Sequence, residues 1–142
     1  MSLFVDTSVW SLSMRRDAPV DVLEVAELER ALDGGDIVVA TGLVLQELLQ
    51  GFGGPRSRDR IVGLFSMLPM IVPAVEDHVE AASLSNRCRR RGLQVGTIDA
   101  LIAQLCIRHR LTLLTTDRDF DRIAEGDVIE AFRVESVAKT LR

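Results

Sequence analysis

Four acids sit where carboxylates can do chemistry: Asp6, Glu47, Asp99 and Asp117. Asp6 ends the apolar run Leu3-Phe4-Val5, and Asp117 follows another, Leu111 to Leu114, across Thr115 and Thr116. Asp99 comes two residues after Thr97, in what the pattern makes the first turn of a helix. Glu47 interrupts the apolar segment Leu43-Val44-Leu45-Gln46-Glu47-Leu48-Leu49, where an ionised carboxylate costs free energy unless it is paired or holds a metal. Carboxylate oxygens are hard donors suited to Mg²⁺ or Mn²⁺. Divalent ions held by such a cluster lower the pKa of a water, orient it in line with a phosphodiester and offset charge on the leaving oxygen. That chemistry needs no protein nucleophile. His78 and His109, which have no Cys or Ser partner at a recognisable spacing, read as surface or capping residues.

Each acid also has a structural account. Asp99 in a first helical turn gains about 0.3–1 kcal/mol from the helix dipole. Asp117 suits the cap of a following helix, and Glu47 suits a solvated helix face. Asp6 is needed least, because Thr7 or Ser8 can cap the helix after it. Capping explains at most two or three of the four, whereas metal ligation explains all.

The elements that must bring these acids together alternate in type. Leu3-Phe4-Val5 reads as a strand feeding a helix. Val20 to Leu32 has helical spacing and stops at Asp33-Gly34-Gly35, and Ile37 to Ala40 is a second strand. Thr41 caps a helix through Leu49, and Gly51 to Pro55 form a loop. Arg56 to Met67 are helical, with a short strand at Ile71-Val72. Val75 to Arg91 form a helix with Val79, Ala82, Leu84 and Cys88 among its apolar positions, ending at Gly92. Thr97 is expected to cap the next helix, whose stripe is Ile98, Leu101, Ile102 and Leu105. Leu111 to Leu114, a short helix from Arg118 to Ala124, and a last strand at Val128 to Ala131 or a little beyond complete an α/β pattern with a mainly parallel sheet of about five strands and helices on both sides. In such sheets ligands bind beyond the carboxyl ends of the strands, which is the address of Asp6, Asp99 and Asp117.

Size and composition agree with one folded unit. The chain has 142 residues, 47% hydrophobic and 27% charged, enough for one ordinary core and too short for two domains of typical size. We read residues 1–142 as a single domain. Its apolar runs are all shorter than the roughly 20 residues a membrane span needs. An early Asp6 is unlike a secretion signal, which makes the cytoplasm the expected location. Two cysteines, Cys88 and Cys106, are too few for a disulfide framework or a zinc site. The net charge of −4 includes any acidic metal site and therefore says little about nucleic-acid binding.

Four segments carry a resemblance across nearly the whole chain. Phe4-Val5-Asp6-Thr7-Ser8, Val44-Leu45-Gln46-Glu47-Leu48, Gly96-Thr97-Ile98-Asp99-Ala100-Leu101-Ile102-Ala103 and Leu113-Leu114-Thr115-Thr116-Asp117-Arg118-Asp119-Phe120 together resemble the PIN-domain ribonucleases, specifically VapC-type toxins of type II toxin–antitoxin systems. The resemblance implies a PIN fold and a Mg²⁺-dependent endoribonuclease, with Mn²⁺ as substitute. It further implies an RNA substrate, a cognate VapB-type antitoxin and a homodimer. By position, Asp6 and Asp99 would be the principal metal ligands, Glu47 and Asp117 would complete the acidic pocket, and the Thr115 hydroxyl would support it. Asp119 and Asp121 extend the acidic run at a helix start. Gln104 replaces the small residue usual there. A groove for the antitoxin would involve Trp10, Leu12 and the helix at 43–52, for which core packing is the plainer account.

Arg87, Arg89, Arg90 and Arg91 end a helix, where cations are favourable without a ligand and also suited to phosphates. Arg56, Arg58 and Arg60 are ambiguous in the same way. A phosphatase of the haloacid-dehalogenase type wants an Asp two places after Asp6, and a proofreading exonuclease wants a Glu; the chain has Ser8 there. A receiver domain needs a lysine near the phosphate, and the sole lysine is Lys139. The remaining alternative is a catalytically inactive PIN-like module that binds RNA or protein.

Overall fold

A computed structural model describes residues 2–15, 22–125 and 133–135. In chain order the elements are β1 (Ser2–Val5), α1 (Thr7–Met14), α2 (Leu23–Asp33), β2 (Ile37–Thr41), α3 (Gly42–Gly51), α4 (Pro55–Phe65), β3 (Met70–Ile71), α5 (Val75–Arg90), α6 (Thr97–Arg108), β4 (Thr112–Leu114), α7 (Asp119–Glu125) and β5 (Arg133–Glu135). The strands make one parallel sheet in the order β3-β2-β1-β4-β5. The strand expected at 128–131 lies outside the described residues, and the fifth strand is β5.

Leu3, Phe4, Val5, Val38, Val39, Ala40, Leu113 and Leu114 are all buried, as central strands of a parallel sheet covered on both faces require. Crossovers in parallel sheets are right-handed, so the reversal of direction after β3 puts α1 to α4 on one face and α5 to α7 on the other. The packing follows this division: α1 against α2 and α3, α3 against α4, and α5 against α6. The strand order turns between β1 and β4, the switch point where such sheets bind ligands.

Helix α5 meets α6 through Asp77, Ala81, Leu84 and Cys88, all buried, a stripe at helical spacing. Of the apolar positions named from the sequence, Leu84 and Cys88 are buried, whereas Val79 and Ala82 belong to the outer side, Val79 being 58% exposed. The carboxylate in the stripe is held through one oxygen: Asp77 Oδ2 accepts from the Ala74 N–H at 2.8 Å and pairs with Arg108 Nη1 at 2.5 Å, while Oδ1 is buried without a hydrogen-bond partner among the described residues. Trp10 is core, 1% exposed, with its ring 4.9 Å from that of Phe65. Cys88 and Cys106 are buried free thiols. Burial raises the pKa of both, partly offset at Cys88 by the Arg87 charge and reinforced at Cys106 by Asp6. Among the described residues no helix is long and apolar enough to cross a membrane.

Candidate metal-binding nuclease site

The site begins with strand register. Val5 pairs with Leu114, and the Asp6 N–H extends the ladder to the Leu114 carbonyl at 3.0 Å. The next residues, Asp6 and Thr115, therefore emerge side by side at the carboxyl edge of the sheet. Asp6 is 7% exposed and Thr115 1%.

Asp6, rather than Thr7 or Ser8, is the N-cap of α1, its Oδ1 accepting from the Thr7 N–H at 2.8 Å. Its Oδ2 accepts from the Ser8 hydroxyl at 2.9 Å and from the Thr115 hydroxyl at 2.8 Å. Each hydroxyl has one proton, and both are directed at the same carboxylate oxygen. The lone pairs are used too: Ser8 Oγ accepts from the Thr116 N–H at 3.2 Å, and Thr115 Oγ1 from the Asp117 N–H at 2.9 Å. Asp6 is thus held in place by three donors, one backbone N–H and two hydroxyls.

The other acids arrive on neighbouring elements. Thr41 ends β2, buried, and caps α3 by accepting from the Val44 N–H at 3.4 Å. Glu47 lies farther along α3, half-buried, its Oε1 accepting from the Thr7 hydroxyl at 3.0 Å. Asp117 Oδ1 accepts from the Asp119 N–H at 2.9 Å, so the capping account of Asp117 holds as well. Asp99 is in the first turn of α6. The N-cap of that helix is Gly96, not the expected Thr97, and no side chain caps it, which leaves its first N–H groups unsatisfied by any cap.

Electrostatics tie the four acids together. Burial first, and then the charges of Asp6, Asp117, Glu47 and Asp119, together push the Asp99 carboxyl up to about 6. Negative charge from three separate segments thus converges on one helix start. Among the described residues no three Asp, Glu, His or Cys side chains stand close enough to hold one ion together. The carboxylates share a neighbourhood without closing a coordination shell, the arrangement mutual repulsion favours. Asp119 is exposed and 3.8 Å from Arg122. Of the residues in this network, sequence reasoning missed two positioning hydroxyls: Ser8, which bridges Asp6 to Thr116, and Thr7, which orients Glu47. Their signal was a hydroxyl pair directly after a strand-ending acid.

An acid-lined carboxyl edge on a five-stranded parallel sheet is the layout of a PIN domain. The PIN domain family matches residues 3–126, and the chain belongs to that family. It is 31% identical over 131 residues to the VapC ribonuclease Mb1587 of Mycobacterium bovis, covering 91% of this chain and 96% of the relative. It is equally similar to ribonuclease VapC11 of Mycobacterium tuberculosis. Its fold is shared with the solved VapBC-1 structure from nontypeable Haemophilus influenzae, at a TM-score of 0.72 and 21% identity over 97% of this chain and 99% of that one.

Proposed function

We propose that this chain is a toxin of the VapC type, an endoribonuclease that hydrolyses RNA phosphodiester bonds with Mg²⁺, or Mn²⁺ in its place, and is neutralised by a cognate VapB-type antitoxin. We take residues 1–142 as its single domain, acting in the cytoplasm as a homodimer. The observation that carries the reading is the convergence of four carboxylates at one edge of the sheet: Asp6 after β1, Glu47 held to Thr7 from α3, Asp117 tied to Asp6 through Thr115, and Asp99 in the first turn of α6, where burial and the charges of the other three raise its pKa. Such concentrated, uncompensated negative charge favours a cation.

The donor set fits a hard divalent ion, being carboxylate oxygens throughout. Asp6 and Asp99 would be the principal ligands, with Glu47 and Asp117 completing the pocket. When bound, such an ion supplies charge stabilisation at the phosphate and a water acidic enough to attack near neutral pH. The protein's own part is positioning. Ser8 and Thr115 fix the Asp6 carboxylate, Thr7 fixes Glu47, and the uncapped N-terminus of α6 presents a positive dipole end toward the phosphate edge.

The test is cleavage. Wild type, Asp6→Asn and Asp99→Asn are expressed, and RNA from each culture is mapped for new 5′ ends. Purified protein is assayed on the same RNA with Mn²⁺, with Mg²⁺ and with EDTA. Discrete cuts that need the divalent ion and vanish in both variants are the expected result. Soluble, folded wild type that cuts nothing with either ion would overturn the reading in favour of a binding module.

A further inference from the structure

Beside the acidic cluster lies a groove of about 480 Å³ between α5, α6 and the start of α3. One wall is apolar, formed by Leu43, Ile98 and Leu101; the other carries Asn86 and Arg89 of α5, with Thr97 at the end. The groove is joined to the acids through two helices. Leu43 and Glu47 are one turn apart on α3, about 5–6 Å between their Cβ atoms. Thr97 and Ile98 directly precede Asp99. Because α5 and α6 form a hairpin, the basic end of α5 stands at the same edge as the acid-bearing start of α6.

We infer that this groove seats one nucleotide of the RNA next to the cut phosphodiester, its base on the Leu43, Ile98 and Leu101 wall, its base edge toward Asn86 and its phosphate at Arg89. This rests on the nuclease reading for its substrate class. Clustered carboxylates repel the flanking phosphates of a bound strand, so cations must stand just outside the cluster if the strand is to lie across it. Among the Arg87, Arg89, Arg90 and Arg91 cations that end α5, Arg89 lines the groove, and it makes no ion pair among the described residues. The volume lies within the about 300–1,000 Å³ of small-molecule sites. No Phe, Tyr or Trp is among its lining residues, and its one imidazole, His78, belongs to the first turn of α5, at the other end of that helix from Arg89, so beside Arg89 the base would rest on aliphatic carbon and the guanidinium plane, with Asn86 as hydrogen-bond partner. The competing occupant is a second copy of this chain, for which exposed Val75 and Val79 farther along α5 offer apolar contact.

The test uses the full chain in EDTA, so that binding is read without cutting. A short fluorescein-labelled single-stranded RNA of mixed sequence is titrated by anisotropy across a range of salt concentrations. Arg89→Ala is expected to weaken binding about tenfold and lower the salt slope by about one, and Asn86→Ala to weaken it about fivefold with the slope unchanged. Arg56→Ala, on exposed α4, should do neither. In the metal-supplemented cleavage assay, Arg89→Ala should raise KM with kcat retained. Sedimentation of each variant is measured alongside. Unchanged RNA affinity in Arg89→Ala and Asn86→Ala overturns the inference, and if sedimentation then shows a loss of dimer, the groove is a protein interface. Groove-dependent binding without cleavage by wild type would instead overturn the nuclease reading and leave the groove standing.

Discussion

The Thr115 hydroxyl donates to Asp6 Oδ2 at 2.8 Å while accepting from the Asp117 N–H at 2.9 Å, so one buried oxygen ties the ends of two neighbouring strands to the acidic cluster. Thr115→Val preserves shape and removes both bonds. Leaving a buried carboxylate oxygen and a backbone N–H short of a partner costs about 1–3 kcal/mol each where no water replaces it. The expected outcome is a lower melting temperature and a drop in cleavage, with Thr115→Ser recovering most of both. Equal activity in wild type and Thr115→Val at matched metal would show that Asp6 is positioned without this hydroxyl.

Asp99 makes the stability of the metal-free protein pH-dependent. Its carboxyl is raised from 3.8 to about 6, so between about pH 4 and 6 the folded chain binds more protons at this site than the unfolded chain does. Stability from this group is therefore highest below pH 4 and falls as pH rises through 6, where the charge becomes fully developed against its neighbours. Asp99→Asn should flatten that decline and melt higher than wild type in EDTA at neutral pH. Added Mg²⁺ or Mn²⁺ should raise the wild-type melting temperature above pH 6, by linkage to binding, and leave the variant almost unmoved. Thermal melts from pH 4 to 8 with and without ion decide it; a variant that melts lower than wild type in EDTA would mean Asp99 is stabilising where it stands.

How much of this was legible in the sequence follows from how local each signal is. The alternation of strand and helix, the edge address of Asp6 and Asp117, and the Thr41 cap are set within a few residues, and the structure agrees with them. The caps of α1 and α6 were misplaced by one residue. Asp, Thr, Ser and Gly are all competent at such ends, and the choice depends on where the backbone leaves the strand. The outer position of Val79 depends on the angle at which α5 packs on α6, which no spacing within α5 encodes. Beyond their suitability as caps, the positioning roles of Ser8 and Thr7 are not legible locally, because their partners, Thr116 and Glu47, are 108 and 40 residues away.

The Asp77–Arg108 pair is tested by removing one side at a time. Asp77 is 1% exposed, whereas the Arg108 side chain is 47% exposed, so solvent screens the cation and not the anion. Arg108→Met leaves a buried carboxylate relying on the Ala74 N–H alone. Its expected cost falls below the about 3–5 kcal/mol of a fully buried pair, because water reaches the Arg108 side. Asp77→Ala loses the α5 cap as well and should cost more. Chemical denaturation of both variants checks the order, and cleavage should be kept in each, since the pair sits at the opposite end of the α5–α6 hairpin from the acids.

The two ends of that hairpin use one backbone device with different residues. After α5, the Leu93 N–H reaches the Cys88 carbonyl at 2.9 Å across Gly92, at φ 79°. After α6, the Leu111 N–H reaches the Cys106 carbonyl at 2.8 Å across Arg110, at φ 54°. This helix stop needs a left-handed residue, which glycine adopts freely and an L side chain adopts at a cost of about 1–2 kcal/mol. Gly92→Ala should therefore destabilise by about 1 kcal/mol. Arg110→Gly relieves strain in the folded state but gains freedom in the unfolded chain. The first term is the larger for a left-handed arginine, so the melting temperature should hold or rise by a few degrees, the shift that about 1 kcal/mol gives in a domain of this size. A fall on Arg110→Gly would show that the Arg110 side chain stabilises that turn by more than its backbone strain costs.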